Sequence, residues 1–336
     1  MPTFYWFDSC GDYYGSSHMA QGIWTSVTAP FSVSSGSGRG GSNSIRCTDN
    51  GPNVVKTITA VGTVCVGFAF KFTTLSGNLP NFCLFQNSGT NHVYLHLKSS
   101  GDIEVFRGDN VLLGTTSGVT MLINTYYHIQ AKVVIHDTTG SVVVKINDVE
   151  VLNLTNVDTK NGSTTTVDRI VLGFPSGGGN GAETVDLDDV YIADDFGGDL
   201  RVGCFFPDGA GNSTQFTPSA GSNFQNVDEA SPNDDTDYNS SATVGHKDLF
   251  TMQNLPTGAI PKAVGLRFRG KKTDAGARSV ATSLRHGTTD VQGDAYVLTE
   301  SHTYSPLQLY NTNPVTAGGW TEADVNALQT GYEVTA

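Results

Sequence analysis

The stretch Tyr126-Tyr-His-Ile-Gln-Ala-Lys-Val-Val-Ile135, with a turn at Asp137–Gly140 and then Val142-Val-Val-Lys-Ile-Asn-Asp-Val-Glu-Val151, carries a strong structural signal. Apolar and polar side chains alternate in both halves, as they do in a strand that buries one face. Asp, Thr and Gly between the halves favour a tight reversal of the chain. The pattern therefore predicts an antiparallel β-hairpin.

The same period of two, or a short apolar run, recurs through most of the first 195 residues. Strands predicted in this way include Thr63–Phe72, Val93–Leu97, Ile103–Phe106, Asp168–Gly173 and Val185–Ile192. Turn residues separate them, among them the glycine-rich run Pro175–Gly181. Many short antiparallel strands at hairpin spacing predict a two-sheet sandwich.

The composition supports an all-β chain and excludes several other classes. Charged residues make up 15% of the 336 residues, too few for a coiled coil or helical bundle. The 17 Phe and 12 Tyr supply a core that a disordered chain would lack. A net charge of −13 argues against a nucleic-acid partner, and the lack of a run of about 18 apolar residues argues against a membrane.

A Gly- and Asp-rich stretch at Asp194–Asp199 predicts a boundary between a first domain, residues 1–195, and a second, residues 199–336. The second domain also has strand patterns, at Leu200–Phe206, Ile260–Arg269, Arg278–Arg285 and Ala295–Leu298. One short helix is predicted near the end, with Thr321 as N-cap, Asp324 three residues later and Gly331 after its last turn. The second domain is therefore expected to be smaller and β-rich.

The hairpin at Tyr126–Val151 resembles the central hairpin of the concanavalin-A-like lectin/glucanase superfamily, and of its laminin-G-type members in particular. The strand Val185–Asp194 is similar to the last strand of that family, and Phe7–Gly41 is similar to its opening. The resemblance covers residues 1–195. It implies that the first domain is a concanavalin-A-like jelly-roll sandwich.

The whole chain also resembles a type of tailed-bacteriophage virion protein in which such a domain precedes a second β domain. In the second domain the resemblance rests on Asp199–Val202, Phe216–Ser219, Val227–Ala230, Gly245–Phe250, Ala263–Arg267, Lys272–Ser279 and Asn313–Asn326. It implies other virion subunits as partners, a symmetric homo-oligomer such as a trimer, and a place in the virion after assembly in the bacterial cytoplasm. The N-terminal Met1–Asp8 has no secretory-signal pattern, which agrees with that expectation.

Glycan binding is the use that the superfamily resemblance implies, with host-surface polysaccharide as the partner. Such a site needs an exposed aromatic ring together with planar amides or carboxylates. The candidates are Tyr13, Tyr14 and His18 in one loop, and Asn91 and His92 in another part of the chain. The alternative is a structural role, because most aromatic side chains of a sandwich lie in its core.

A structural calcium ion is the cofactor that the resemblance allows, and no other cofactor is expected. Calcium takes six to eight oxygen ligands. Strand alternation places Asp186 and Asp188 on one face and Asp189 on the other, so the three are not expected to share one ion. Closely spaced oxygen side chains recur at Asn233–Asp237. The candidate ligands are Asp189, Asp234, Asp235 and Asp237; the alternative in both places is a solvated acidic turn.

A local basic cluster stands out in the acidic chain. Its members are Arg267, Arg269, Lys271, Lys272, Arg278 and Arg285, of which the first four are the candidates for subunit contact. Such a cluster can meet an acidic patch on a neighbouring subunit and fix the register of association. The alternative is a solvated strand face.

The enzyme hypothesis depends on paired carboxylates. Laminarinase-like relatives use two glutamates on one strand, because retaining glycosidases need carboxyls about 5–5.5 Å apart. The seven glutamates of this chain include no such pair at four- or five-residue spacing, although a pair from distant strands stays open.

The resemblance to virion proteins, together with the absence of a local glutamate pair, favours a non-enzymatic structural protein of the virion, in the tail, tail tip or fibre. The alternatives are a capsid decoration or cement protein and, from another class, a polysaccharide depolymerase.

Overall fold

The structure is a computed structural model that describes residues 1–48, 51–74, 77–174 and 183–336. The predicted glycine-rich turn at Pro175–Gly181 lies outside these residues. The chain divides into two compact units. The first unit comprises Met1–Ala20 and Trp24–Val202, and the second comprises Gln21–Ile23 and Gly203–Ala336.

The first unit is made of β-strands and one short 3-10 helix, Ser16–His18, in its described part. The strands are β1 (Phe4–Asp8), β2 (Ser26–Thr28), β3 (Phe31–Ser34), β4 (Ser44–Thr48), β5 (Asn53–Val61), β6 (Thr63–Thr74), β7 (Leu79–Asn87), β8 (Thr90–Leu97), β9 (Ile103–Arg107), β10 (Leu112–Thr115), β11 (Tyr127–Val134), β12 (Gly140–Ile146), β13 (Val149–Val157), β14 (Val167–Gly173) and β15 (Thr184–Ala193).

These strands form two antiparallel sheets. The eight-stranded sheet has the order β13-β12-β11-β6-β15-β4-β3, with β1 also paired to β15. The seven-stranded sheet has the order β10-β9-β8-β7-β14-β5-β2. Aromatic side chains join the sheets: the Phe70 ring of β6 lies 5.0 Å from the Phe82 ring of β7. The first unit is therefore a two-sheet sandwich with its core between the sheets.

The predicted hairpin is confirmed as β11 and β12. Ile129 pairs with Ile146, and Val133 pairs with Val142. These side chains are buried, and each contributes about 1.5–3 kcal/mol by leaving water. The alternation visible in the sequence thus places one face of the hairpin in the core.

The second unit has shorter strands and a single turn of α-helix. They are β16 (Pro207–Thr214), β17 (Thr217–Pro218), β18 (Asn239–Ser240), β19 (Lys247–Met252), β20 (Val264–Leu266), β21 (Arg269–Gly270), β22 (Ser279–His286), β23 (Thr289–Val297), β24 (Thr303–Tyr304), β25 (Gln308–Tyr310), α1 (Glu322–Asn326) and β26 (Gln329–Val334), with a 3-10 helix at Asn223–Asn226. A five-stranded sheet, β16-β19-β26-β22-β23, is accompanied by the pairs β17-β18, β20-β25 and β21-β24.

The predicted helix near the end is present. The Thr321 hydroxyl accepts a hydrogen bond from the Asp324 amide at 3.1 Å, and Asp324 accepts one from the Thr321 amide at 3.1 Å, which is a capping box. The placement of Gly331 is corrected, since the helix ends at Asn326 and Gly331 lies inside β26. Local capping determines where the helix starts, whereas the residues expected to end it are paired in a β-strand.

The all-β fold is confirmed: a jelly-roll sandwich comes first, and a smaller β-rich unit with a short C-terminal helix follows. The strand predicted at Leu200–Phe206 is wrong, because these residues lie in no strand. The next strand, β16, begins at Pro207. The strand predicted at Ile260–Arg269 is replaced by β20 and, at Arg269, the start of β21. Within the described residues, no helix has the length and apolar character needed to cross a bilayer.

Candidate functional site

A group of buried ionisable side chains in the first unit lies where β15 changes neighbours. Leu187 pairs with Ile45 of β4, whereas Val190 pairs with Asp8 of β1. Between them β15 bulges, and Asp189 takes a left-handed conformation with φ of 50°. Aspartate tolerates this conformation better than most residues. Two successive aspartates, Asp188 and Asp189, are buried at this bulge.

The loop before β4 supplies donors to Asp188. Asp188 Oδ2 accepts the Arg39 amide at 2.7 Å and the Ser42 hydroxyl at 2.8 Å, and Oδ1 accepts the Asp189 amide at 2.8 Å. Ser42 Oγ also lies 3.0 Å from the Arg39 carbonyl, and its single proton can serve one acceptor at a time. A protonated Asp188 would donate to Ser42 Oγ and free the Ser42 proton for Arg39.

Two arginines neutralise Asp189. Its Oδ2 lies 3.1 Å from Arg39 Nε and 3.2 Å from Arg201 Nε, and its Oδ1 accepts the Val202 amide at 2.8 Å. The prediction that Asp189 faces away from Asp188 is corrected, because the bulge interrupts strand alternation and the Arg39 residue contacts both carboxylates. We call Arg39, Ser42, Asp188, Asp189 and Arg201 the bulge cluster.

Residues 195–202, the covering segment, are held against the eight-stranded sheet beside this cluster. Three of its backbone amides donate hydrogen bonds to side chains of the sheet and its turns. The Gly197 amide donates to Tyr191 Oη at 3.0 Å, the Gly198 amide to Gln130 Oε1 at 3.0 Å, and the Asp199 amide to Asp148 Oδ2 at 3.1 Å. Arg39 adds an ion pair to Asp199 and donates to the Leu200 carbonyl at 2.9 Å. The polar groups of the sheet are thus used to fix the covering segment.

His128 is buried under this segment. Its ring stacks on Tyr191 with centroids 6.0 Å apart, and Nδ1 lies 4.0 Å from Asp199 Oδ1. Neither ring nitrogen has a hydrogen-bond partner among the described residues. Burial lowers the pKa of His128 to about 4, against the attraction of Asp199, so the imidazole is neutral at pH 7.

Burial and then the charge of Asp189 raise the pKa of Asp188 to about 7, from an ordinary value of 3.8. Burial likewise raises the pKa of Asp189, against hydrogen bonding by Val202 and the two arginines. Cys10 and Tyr126 also lie close enough to Asp188 to interact with its charge, and burial raises the pKa of each. Both stay neutral near pH 7, so the titration belongs to the aspartates.

We expect an Asp188→Asn variant to change the pH dependence of stability. Between pH 4 and pH 7 the folded chain holds the Asp188 proton that the unfolded chain has released, so rising pH lowers the free energy of unfolding. From pH 5 to pH 8 the parent should lose about 2 kcal/mol relative to the variant. Urea unfolding at several pH values measures this difference.

The control for that experiment is Asp195→Asn. A hydrogen bond from Lys132 lowers the pKa of Asp195, so the ionised carboxylate stabilises the fold above pH 5 and loses that effect only at lower pH. Above pH 5 the free energy of unfolding of Asp195→Asn should therefore change with pH as it does in the parent. Equal slopes for the parent and Asp188→Asn would contradict the raised pKa.

The predicted glycan residues of the first loop are engaged within the protein. Tyr14 is 2% exposed and donates to Asp8 Oδ2 at 2.5 Å. Tyr13 donates to Asp8 Oδ1 at 2.7 Å, and His18 Nδ1 accepts the Gly15 amide at 3.2 Å. As placed, Tyr14 has no face open for a sugar ring, so its assignment as a glycan contact is corrected.

The other two residues predicted to bind glycan, Asn91 and His92, lie in β8 of the seven-stranded sheet. His92 is fully buried; Nδ1 accepts the Asn161 amide at 3.0 Å, and Nε2 lies 3.2 Å from Thr164 Oγ1. Asn91 Oδ1 accepts from Gln86 at 2.7 Å. His92 is a structural residue that fixes a loop, and glycan binding by Asn91 stays a prediction.

The predicted calcium loop and the predicted basic cluster come together in the second unit. Arg269 binds Asp234 through two hydrogen bonds of 2.6 and 2.9 Å, and Lys271 Nζ lies 2.6 Å from Asp235 Oδ1. His302 lies within 3.6 Å of both carboxylates. The carboxylates predicted to bind calcium are therefore paired with the basic side chains predicted to contact a neighbouring subunit.

The remaining members of the two sets lie nearby in sequence but outside these pairs. Burial raises the pKa of Glu229, which also shares a hydrogen bond with Asp237, and Lys272 donates to the Gly276 carbonyl at 2.8 Å. Arg267 is half-buried. Among the described residues, no group of three or more His, Cys, Asp or Glu side chains is arranged to hold a metal ion. Calcium binding and subunit contact by these residues stay predictions.

The second unit also has a recess of about 130 Å³ that sequence reasoning missed. It is lined by Phe268, Thr282, Asp294, Ala295, Tyr296, Ser305, Pro306, Leu307 and Gln308. These residues come from four separate parts of the chain. Strand patterns carried no signal for their convergence.

Comparison with known proteins leaves the family of the chain open. No protein-family model and no curated protein matches the sequence. A solved sialidase is 15% identical over 57% of this chain, with a TM-score of 0.40, and the chain spans 18% of that sialidase. Alginate lyase Aly36B is 11% identical, covering 61% of this chain and 98% of its own, with a TM-score of 0.37.

The carbohydrate-binding module CBM66 from Bacillus subtilis is also similar, at 7% identity over 50% of this chain and 94% of its own, with a TM-score of 0.33. At these identities and scores the likenesses carry no conclusion about ligand or activity. The sandwich assignment rests on the sheet order itself.

Proposed function

We propose that the chain is a non-enzymatic structural protein of a tailed-bacteriophage virion, in its tail, tail tip or fibre. In this proposal the first unit is a rigid module that presents loops for contact, and the second unit joins neighbouring subunits. Host-surface glycan is the external ligand. The sequence resemblance supplies the virion setting, and the structure of the second unit supports the assembly role.

The observation that carries the assembly role is the thin core of the second unit. Its outer strands, β16 and β23, contain no buried residue among their described positions. The buried apolar side chains of the unit, all of whose residues are described, are Ile23, Leu249, Phe250, Ala281, Leu284, Tyr304, Trp320, Leu328 and Val334. A β-sheet with open edges and few core residues is commonly completed by another chain.

The occupant of the β23 edge is, in this proposal, a second copy of the same chain. Symmetric homo-oligomers are the commonest assemblies of soluble proteins. Val297, at the end of β23, is 61% exposed, and an apolar side chain at an open strand edge favours pairing with another strand.

We expect the parent chain to be a homo-oligomer and Val297→Lys to shift it towards the monomer, because a charge at a strand edge opposes edge pairing. Size-exclusion chromatography with light scattering measures the mass. Val244→Lys is the matched control, since Val244 is 64% exposed in a turn of the same unit, outside its strands. A monomeric parent, or equal loss of assembly in both variants, would overturn this occupant.

Electron cryomicroscopy of the particle tests the virion assignment. Density for the chain in the tail, tail tip or fibre is the expected result. A position on the head shell would replace the tail assignment by a capsid decoration protein, and absence from the purified particle would overturn the proposal.

A polysaccharide depolymerase is the second candidate, and the observation that favours it is the grouping of His128, Gln130 and Tyr191 on one patch of the sheet. Tyr191 Oη donates to Gln130 Oε1 at 2.7 Å, and Gln130 donates to Asp148 at 2.7 Å. Histidine and tyrosine side chains can move protons at a sugar, with the glutamine amide as a positioning group, although the covering segment buries them here. Sustained release of sugar from host capsule, lost in His128→Ala, would establish this function in place of the first.

A further inference from the structure

The recess of the second unit is created by a bulge between β22 and β23. Ala281 pairs with Ala295 and Ser283 pairs with Gln292, so Gly293 and Asp294 stand opposite Thr282 alone. A Cβ atom at Gly293 would lie 2.3 Å from Thr282 Oγ1 and 3.0 Å from Gln308 Cγ. A Cβ atom there would push the Thr282 and Gln308 side chains aside, so glycine favours this close approach of β23, and the extra residue turns Asp294 outward.

One wall of the recess is aromatic. The rings of Phe268 and Tyr296 meet edge to face, with centroids 6.2 Å apart. Tyr296 Oη lies 3.2 Å from Thr303 Oγ1, which fixes the ring. Both rings are half-buried, so part of each remains open to the recess.

The rim of the recess carries a carboxylate and an amide. Gln308 Oε1 accepts the Asp294 amide at 3.0 Å, which holds the Gln308 side chain beside Asp294. Within the described residues, no hydrogen bond or ion pair engages the Asp294 carboxylate or Gln308 Nε2. An acceptor and a donor thus stand free next to the aromatic wall.

We infer that this recess binds one neutral pyranose unit of a glycan. A sugar ring presents apolar C–H faces, which suit an aromatic wall, and neighbouring hydroxyls, which suit a carboxylate and an amide placed side by side. An acidic sugar would be repelled by Asp294 and by a chain of net charge −13. The inference rests on the glycan part of the proposed function and moves its site from the first unit to the second.

The size of the recess sets the affinity. A volume of about 130 Å³ is well below the ~300–1,000 Å³ of pockets that enclose a drug-sized ligand, so the recess contacts part of a single ring. A ligand of that size binds with a dissociation constant on the order of millimolar. Useful attachment would then require several copies acting together.

Saturation-transfer NMR on the full chain tests the inference. The probes are methyl α-D-glucopyranoside, methyl α-D-mannopyranoside, methyl β-D-galactopyranoside and N-acetyl-D-glucosamine. We expect transfer to at least one of them, a loss of at least tenfold in affinity in Asp294→Ala and Tyr296→Ala, and partial retention in Tyr296→Phe, which keeps the ring. Tyr238→Ala, at a tyrosine 46% exposed elsewhere in the unit, should bind like the parent.

The failures are distinguishable. Transfer that persists in both Asp294→Ala and Tyr296→Ala would overturn the recess as the site and leave glycan contact by the chain standing. Absence of transfer to all four sugars would overturn the inference itself, while the virion assignment would still be decided by electron cryomicroscopy. Because Asp294 is exposed, its replacement tests binding without threatening the fold.

Discussion

Replacing Arg39 with alanine is expected to lower the free energy of unfolding of the first unit by about 3–5 kcal/mol, the cost of removing one partner of a buried ion pair. The Arg39 and Asp189 side chains are 16% and 4% exposed, so water cannot replace the lost partner. Arg201, which would remain, is 49% exposed. The variant also loses the bonds from Arg39 to Asp199 and Leu200, which weakens the attachment of the covering segment.

Urea denaturation followed by tryptophan fluorescence measures this loss. Trp6 and Trp24 are buried in the first unit and Trp320 in the second, so a Trp320→Phe background confines the signal to the first unit.

Arg107→Ala is the matched control for Arg39→Ala. Arg107 pairs with Asp109 and Asp158, whose side chains are 42% and 41% exposed, and exposed pairs contribute about 0–1 kcal/mol. An Arg39→Ala loss no larger than that of the control would contradict the buried network. Arg39→Lys should fall between the two, because lysine keeps the charge without the forked geometry.

The hairpin of β11 and β12 could be predicted because its signal is local. Alternation along Ile129–Val134 fixes which side chains are buried, and the turn that reverses the chain is read from neighbouring residues. The capping box at Thr321 and Asp324 is local in the same way. Local sequence patterns therefore predict the class of fold and the start of the helix.

The bulge at Asp188 and Asp189 could not be predicted, because its cause is remote in sequence. β15 exchanges β4 for β1 as its neighbour at this point, and the Arg39 residue that binds both carboxylates is 149 residues from Asp188. Alternation alone assigns the two aspartates to opposite faces. Long-range pairing determined the site, and the local pattern was misleading there.

The aromatic candidates failed for a related reason. Whether a tyrosine in a loop-like sequence is exposed depends on residues distant in sequence. Tyr14 is buried, and its hydroxyl donates to Asp8 and accepts from the Trp24 indole N–H. The recess at Tyr296 and Gln308 has no local signature, because it forms where a bulge in the pairing of β22 and β23 brings β23 close to the Gln308 side chain. Burial and convergence of this kind require the tertiary structure.

A Gly331→Ala variant is expected to lower the free energy of unfolding of the second unit by about 3 kcal/mol, the upper part of the range for an overpacked core position. β26 lies between β19 and β22, and Gly331 pairs with Leu249 and Ser283. A Cβ atom there would lie 2.0 Å from the Asp248 carbonyl oxygen. Because this oxygen belongs to the backbone, a strand must move to make room.

Displacement of Asp248 would be costly in turn. Its carboxylate is fully buried and accepts hydrogen bonds from the Gln215 amide at 2.6 Å, the Phe216 amide at 3.0 Å and the Asn223 side chain at 2.7 Å. Movement of β19 would strain all three bonds, and a buried acceptor left without its donors loses about 1–3 kcal/mol. The fluorescence of Trp320 reports on unfolding of this unit.

Gly318→Ala is the control for Gly331→Ala, because Gly318 is exposed and its added Cβ would meet Thr316 Oγ1 at 3.6 Å, an ordinary contact. Surface substitutions of this kind stay within about 0.5 kcal/mol. If the two variants unfold at the same urea concentration, β26 is not held against Asp248 as closely as the structure places it. A loss confined to Gly331→Ala would show that this glycine serves strand contact and not the end of a helix.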